Sequence, residues 1–310
     1  MSASGGRVPE SDEVSAMLIA RLLADTATLA EKLDAARGEL DTRGWPVAMA
    51  ETVASGEDAI EILLPEGDAG EVRAILGKHF SPCDLLVATR EIAIPQVFVS
   101  DMDSTMIGQE CIDELADFAG IKPHIAAITE RAMQGELDFR AALRERVGLL
   151  AGLGEAAIGE CLAERVRPMA GAKTLVATVK SLGCKTVLVT GGFHAFADPV
   201  AEELGFDRVV ANRLATAGGK LTGGLDGAIT DGAIKAQVLT EEAAQLGGNA
   251  VSLAMGDGAN DAPMLQTATF GIAYRAKPKA REAADGWIER GDLTAVLELL
   301  GVPKQDWVRG

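Results

Sequence analysis

Gln96-Val-Phe-Val-Ser-Asp-Met-Asp-Ser-Thr105 is the stretch on which the fold class turns. Pro95 just before it cannot donate to a sheet ladder and breaks the preceding element. Val97, Phe98 and Val99 are apolar at successive positions, as a strand buried on both faces of a parallel sheet requires. The strand runs directly into Asp101 and Asp103. Residues two apart on an extended segment point the same way, so both carboxylates can face one reacting centre. Side by side they repel, and one pKa rises unless a divalent cation sits between them. With Mg²⁺ present, one carboxylate can attack phosphorus while the other shuttles the proton. A plain Asp turn closing the strand is the structural alternative. A calcium loop is excluded, because its sixth position is Met106 instead of Gly and its twelfth is Ile112 instead of Glu.

Towards the C-terminus the pattern is helical from about Cys111 to Val166, rich in Ala, Leu, Arg and Glu. After Pro168 the rhythm alternates. Helices are expected over Ala172 to Leu182, Phe196 to Leu204 and Leu293 to Leu300, and strands at Lys185 to Val189, Ala250 to Met255 and Phe270 to Tyr274. Gly218-Gly219 and Gly223-Gly224 bracket a small hairpin. This alternation predicts a doubly wound, Rossmann-like parallel sheet of the α/β class, with the helical block inserted after its first strand as a cap over about 108–168.

Ligands of such sheets bind beyond the carboxyl ends of the strands, and three polar clusters fall there. Asp101 and Asp103 form the first. Thr190-Gly191-Gly192 is the second, offering a hydroxyl and open backbone N–H groups at a predicted helix N-terminus. Gly256-Asp257-Gly-Ala-Asn260-Asp261 is the third, with two acids at the spacing of a cation ligand and its support. Taken singly, each also reads as a turn or a helix cap. Their convergence on one sheet edge is the stronger signal. The last cluster is not a dinucleotide fingerprint, since Asp261 replaces its final glycine, and Gly219-Lys220-Leu221 is no Walker loop.

Residues 1–93 read as a separate small α+β unit preceding the core at 94–310. A helix is expected over Thr26 to Leu40, strands at Val47 to Ala50 and Ala59 to Leu64, a helix over Ala69 to His79 and a strand at Asp84 to Ala88. That order suits an open sheet with helices on one face. The formal net charge is −17, from 29 basic and 46 acidic residues, and no basic run occurs, so general attraction to nucleic acid or an acidic membrane is excluded. An anionic substrate would need a local cluster of cations or a metal. Cys83, Cys111, Cys161 and Cys184 lie far apart without a CxxC pair, which suits free structural thiols in a reducing compartment. The first fifteen residues are polar and acidic, and no stretch of 18 or more apolar residues occurs, so a cytoplasmic location is expected.

Asp-x-Asp-Ser-Thr, Thr-Gly-Gly, Lys235 and Gly-Asp-Gly-x-Asn-Asp in this order resemble the haloacid dehalogenase superfamily of phosphatases. Gln109-Glu110-Cys-Ile-Asp-Glu, Met133-Gln-Gly-Glu-Leu-Asp-Phe139, Arg144-Glu-Arg146-Val and Ala211-Asn-Arg-Leu narrow the resemblance to the branch that hydrolyses O-phospho-L-serine. It covers about residues 96–300. It implies Asp101 as nucleophile and Asp103 as the acid and base. It implies Mg²⁺ on Asp101, the backbone carbonyl of Asp103 and Asp257, with Asp261 in support. Thr190 and Lys235 would bind the phosphoryl oxygens, Gly191 and Asn260 would also contact the substrate, Glu110 would meet its ammonium and Arg146 its carboxylate, with Phe139 packing in the cap. The front unit resembles, loosely, the amino-acid-sensing ACT-like regulatory domain of some bacterial members, for which sensing or a homodimer interface is the expected use.

Overall fold

The computed structural model describes residues 17–53, 58–133 and 136–309. The acidic start of the chain and Gln134-Gly135 of the cap motif lie outside these. The front segment runs β1 (Leu18–Leu23), α1 (Leu29–Thr42), β2 (Met49–Thr52), β3 (Ala59–Leu64), α2 (Ala69–Phe80) and β4 (Asp84–Ala88). The core opens with β5 (Val97–Ser100), and four helices follow: α3 (Cys111–Phe118), α4 (Lys122–Met133), α5 (Phe139–Gly148) and α6 (Ala156–Arg165). Then come α7 (Ala172–Ser181), β6 (Lys185–Phe193), α8 (His194–Leu204), β7 (Arg208–Ala217) and β8 (Lys220–Asp226). The chain continues through α9 (Gly232–Gln245), β9 (Ser252–Gly256), α10 (Ala262–Thr267), β10 (Phe270–Tyr274), α11 (Pro278–Ala283), β11 (Gly286–Ile288) and α12 (Ala295–Leu299).

Among the described residues the strands form one eleven-stranded sheet in the order β2-β3-β1-β4-β11-β10-β9-β5-β6-β7-β8. Six strands, β11 through β7, are parallel; β4 joins β11 antiparallel, and the front strands and β8 are antiparallel as well. The expected parallel sheet is therefore the centre of a mixed one. On β5, Val97 and Val99 pack into the cluster holding Leu239 and Met264, while Phe98 packs with Met102, Leu188 and Phe196. Both faces are covered, which is why this strand carries no polar alternation.

The front segment carries its own two helices on one face, as expected: Leu18, Ala20 and Leu22 face Ala36, Leu40 and Val72 of α1 and α2. On the other face Ile19 and Leu23 share a cluster with Val296, Leu297 and Leu299 of α12. The C-terminal helix covers the second face, and Arg21 Nη1 donates to the Leu299 carbonyl at 3.1 Å. Gly286↔Leu86 and Trp287↔Leu85 pair β11 with β4, so the short edge of the core sheet is sealed by the front segment.

Asp84 fixes this seam. Its side chain is 1% exposed and accepts from the backbone amides of Glu289 (2.8 Å), Arg290 (2.8 Å) and Gly291 (3.0 and 3.2 Å). Asp84→Ala removes the acceptor of three part-buried N–H donors, and each costs about 1–3 kcal/mol when left unpaired. The expected result is a loss of roughly 3 kcal/mol or more in urea denaturation, with Asp84→Asn intermediate because one acceptor oxygen remains.

All four cysteines are free and buried. Burial pushes Cys83 and Cys184 up to about 12, and Cys111 and Cys161 are raised by the same cause. Because only the thiolate reacts, iodoacetamide at pH 8 is expected to label none of them in the folded chain and all four in urea, as read by mass spectrometry.

Candidate active site

The three strand-end clusters do meet. β5, β6 and β9 are neighbours in the sheet, and their carboxyl ends open into a cavity of about 330 Å³. Asp101, Asp103, Thr190, Gly191, Asp257 and Asn260 line its floor, and Glu110 and Arg146 line its upper wall.

Asp101 follows β5 directly, its amide donating to the Met255 carbonyl at 2.9 Å. The chain then turns sharply, with Ser104 at φ 54° in the left-handed region, a strained conformation for a non-glycine residue. That turn aims the Ser104 hydroxyl at Glu110 Oε1, 2.8 Å away, and brings Glu110 over the cavity. Asp103 contacts the thiol and amide of Cys111 at the start of α3 and leaves Oδ1 buried without a partner. Burial, then the charge of Glu110, pushes its carboxyl up to about 7.

Lys235 projects from α9 beneath the floor. It is fully buried, and its Nζ lies 2.6 Å from Asp101 Oδ1 and 2.7 Å from Asp261 Oδ1. It reaches the site through Asp101 and is not itself on the cavity wall. Burial alone would lower its pKa, but the two carboxylates outweigh that and hold the ammonium charged. One cation between two acids leaves negative charge over. Asp101 is accordingly raised well above the usual carboxylate range, by burial first and Asp261 second. Asp261 Oδ2 accepts from the amides of Asp257 (3.1 Å) and Gly258 (2.9 Å), so it shapes the loop that presents Asp257. Gly256 is required here because a Cβ would fall 2.3 Å from the Asp261 carboxyl carbon.

Thr190-Gly191-Gly192, expected at a helix N-terminus with a glycine turn as the alternative, is neither, because the helix starts only at His194. β6 continues through it to Phe193, with its register to β7 shifting between Val189 and Phe193. The Thr190 hydroxyl accepts from the Gly192 amide at 2.9 Å, and Asn212 holds the Gly191 carbonyl at 2.8 Å. Gly191 has no room for a side chain, since a Cβ would lie 2.9 Å from Phe139 Cζ of the cap. The hairpin is also redistributed. Gly218-Gly219 forms its tip at positive φ, while Gly223-Gly224 lies within β8.

The helical block α3 to α6 stands on a two-strand neck, where Ile107 bridges Pro168 and Met169 N donates to Met106 O at 2.8 Å. It rests on the hairpin through Gly152 N to Leu221 O and Leu221 N to Leu153 O, both 2.8 Å. Arg140 closes the other side with Nη2 2.6 Å from Asp231 Oδ2. Arg146 arrives from α5 with Nε buried and unpartnered, its pKa lowered by burial against the charges of Asp113, Glu110 and Asp103. Asp113, Thr129 and Lys277 also line the cavity and had no place in the sequence reading. Asp113 sits three residues after Glu110 within a quoted motif, which was the available signal. Thr129 and Lys277 carried none.

Carboxylate oxygens of Asp101, Asp257 and Asp261 lie within 4.8 Å of one another, all from buried residues. Hard oxygen donors with surplus negative charge are what Mg²⁺ selects, so the residues present fit such an ion.

A doubly wound sheet with paired acids at its strand ends and a helical lid over them defines a capped hydrolase of the α/β class. Residues 98–266 match the family described as haloacid dehalogenase-like hydrolase, and the chain belongs to that family. A phosphoserine phosphatase of Polaromonas sp. (strain JS666 / ATCC BAA-500) is 45% identical over 222 residues, covering 69% of this chain and 94% of that protein. A HAD family hydrolase of Salmonella enterica subsp. enterica serovar Typhi superimposes with TM-score 0.78 at 30% identity, over 92% of this chain and 98% of that one. A phospho-aspartyl intermediate analogue of phosphoserine phosphatase does so with TM-score 0.61 at 37% identity, over 66% and 98%.

Proposed function

We propose that this chain hydrolyses O-phospho-L-serine to L-serine and phosphate through an aspartyl-phosphate on Asp101. The observation that carries this reading is the cavity itself, where one wall offers Asp101 and Asp103 and the other offers Glu110 and Arg146. A zwitterionic amino acid needs one acid and one base for recognition, and a phosphomonoester needs a nucleophile and a proton donor. Asp101 Oδ attacks phosphorus while the ester oxygen leaves as the serine hydroxyl, taking the Asp103 proton. Asp103, then ionised, removes a proton from the water that attacks the acyl phosphate, which frees phosphate and restores Asp101. Thr190 and the Gly191 amide receive the equatorial phosphoryl oxygens, and Lys235 keeps Asp101 oriented from below. Asp101, Asp257 and the Asp103 carbonyl would hold Mg²⁺, whose charge would offset the phosphoryl oxygens drawn towards a group of carboxylates.

The unpartnered Arg146 Nε supports a substrate carboxylate in the cap, because a buried donor without a partner is costly unless a ligand meets it. Glu110, held by Ser104, is raised by burial, as expected of an acid whose cationic partner is the substrate. A sugar-phosphate mutase on the same core would have no use for this acid–base pair. The test is phosphate release with Mg²⁺ from phosphoserine, phosphothreonine and several sugar phosphates. Turnover of phosphoserine well above the sugar phosphates is expected, and preference for a sugar phosphate would overturn the roles of Glu110 and Arg146.

The front segment supports an ACT-like reading through its βαββαβ order and its β2-β3-β1-β4 sheet. An amino-acid-sensing role, a homodimer built on this unit and a cytoplasmic location belong to the same proposal. Among the described residues no helix is long and apolar enough to cross a membrane. Titrating L-serine into the full chain with Glu110→Gln, which weakens the catalytic pocket's hold on the amino group, tests the sensing role; no heat at millimolar serine would sink it.

A further inference from the structure

Lys277 is unaccounted for by the chemistry above, yet it is tied twice to one of the acids that chemistry needs. Its amide donates to the Asp257 carbonyl at 2.8 Å, and its Nζ lies 3.1 Å from Asp257 Oδ2. The backbone bond ties the two residues together, while the Lys277 side chain is 65% exposed. Its ammonium sits at the cavity rim and also acts on Glu110 and Asp261. Of the cations around the floor, Lys235 is locked between two carboxylates with no exposure, whereas Lys277 holds Asp257 from the solvent side.

Resting on the reading of Asp257 as a metal ligand, we propose that Lys277 is a tethered counter-cation that competes with the divalent cation for Asp257 and so sets how tightly the metal is held. A carboxylate oxygen already paired with an ammonium must release it, or share it, when a dication arrives, and the two positive charges repel at that distance. Once displaced, the ammonium remains within reach of Glu110 because of the backbone tie. Lys277 is thus a positioning residue whose effect is read in metal affinity, and its exposure leaves the packing untouched.

The experiment is calorimetric titration of Mg²⁺ into the full chain and into Lys277→Met and Lys277→Arg, with thermal denaturation as a control for folding. An exposed ion pair together with like-charge repulsion predicts about three- to tenfold tighter Mg²⁺ binding by Lys277→Met. Lys277→Arg, which keeps the charge, is expected to stay near the parent. Unchanged or weaker binding by Lys277→Met, with the parent titrating normally, overturns this inference alone. A parent chain that takes up no Mg²⁺ at millimolar concentration overturns the metal reading of the site and this inference with it.

Discussion

Asp101→Asn is expected to abolish phosphate release, by at least about a thousandfold in kcat, while the variant melts no lower than the parent. The amide has the size of the carboxylate and keeps one oxygen for Lys235, so the geometry at 2.6 Å survives. What it loses is the anionic oxygen proposed to attack phosphorus. Stability moves the other way because Asp101 is 4% exposed and shares a single ammonium with Asp261, a crowding that pushes its own carboxyl upward. Neutralising one of the two acids relieves that strain. Melting curves in chelator and colorimetric phosphate assays check the two halves separately. Activity above about one per cent of the parent would mean that water attacks phosphorus directly and that no covalent intermediate forms.

The floor of the cavity was legible because strand-end position and residue type reinforce each other. Asp101, Asp103 and Asp257 each follow a short apolar strand, and a strand's direction dictates where its successor residues point. Glu110 and Arg146 were legible only through the family motifs, since on helices of an acidic chain they resemble any solvated pair. Lys277 was invisible for a physical reason: it follows β10 on a loop, and loops carry no periodicity from which orientation can be read. The front segment shows a different limit. Its element order was readable from pattern, but Leu85-Leu86-Val87 forms a continuous apolar run because β4 is buried between α2 and α12 and paired on both edges. A run of that kind announces burial on both faces without saying which distant element supplies the second cover. Likewise Thr190-Gly191-Gly192 has the composition of a turn, and only the approach of Phe139 from the cap explains why glycine continues a strand there.

Lys235→Met is expected to cost about 3–5 kcal/mol and to remove activity, the largest stability loss of any single change near the site. The methionine fills most of the volume, so the effect is electrostatic. Asp101 and Asp261 are left buried, 4% and 0% exposed, with no cation between them. Breaking a buried pair from one side leaves an uncompensated charge, which is costlier than never having built the pair. The pH dependence has a definite sign. Asp101 already has a raised pKa with the lysine present, and losing the lysine raises it further. A carboxyl that binds its proton more tightly when folded favours folding at low pH, and that contribution is lost as pH rises through the folded pKa. The deficit of Lys235→Met should therefore shrink at pH 5 and widen at pH 8 in urea titrations. Adding Asp261→Asn to the same chain should return much of the stability without activity, because one buried charge and its repulsion are removed while the nucleophile stays unoriented. Equal deficits at both pH values, or no recovery in the double variant, would show that Lys235 acts through packing and that the charges beneath Asp101 do not govern it.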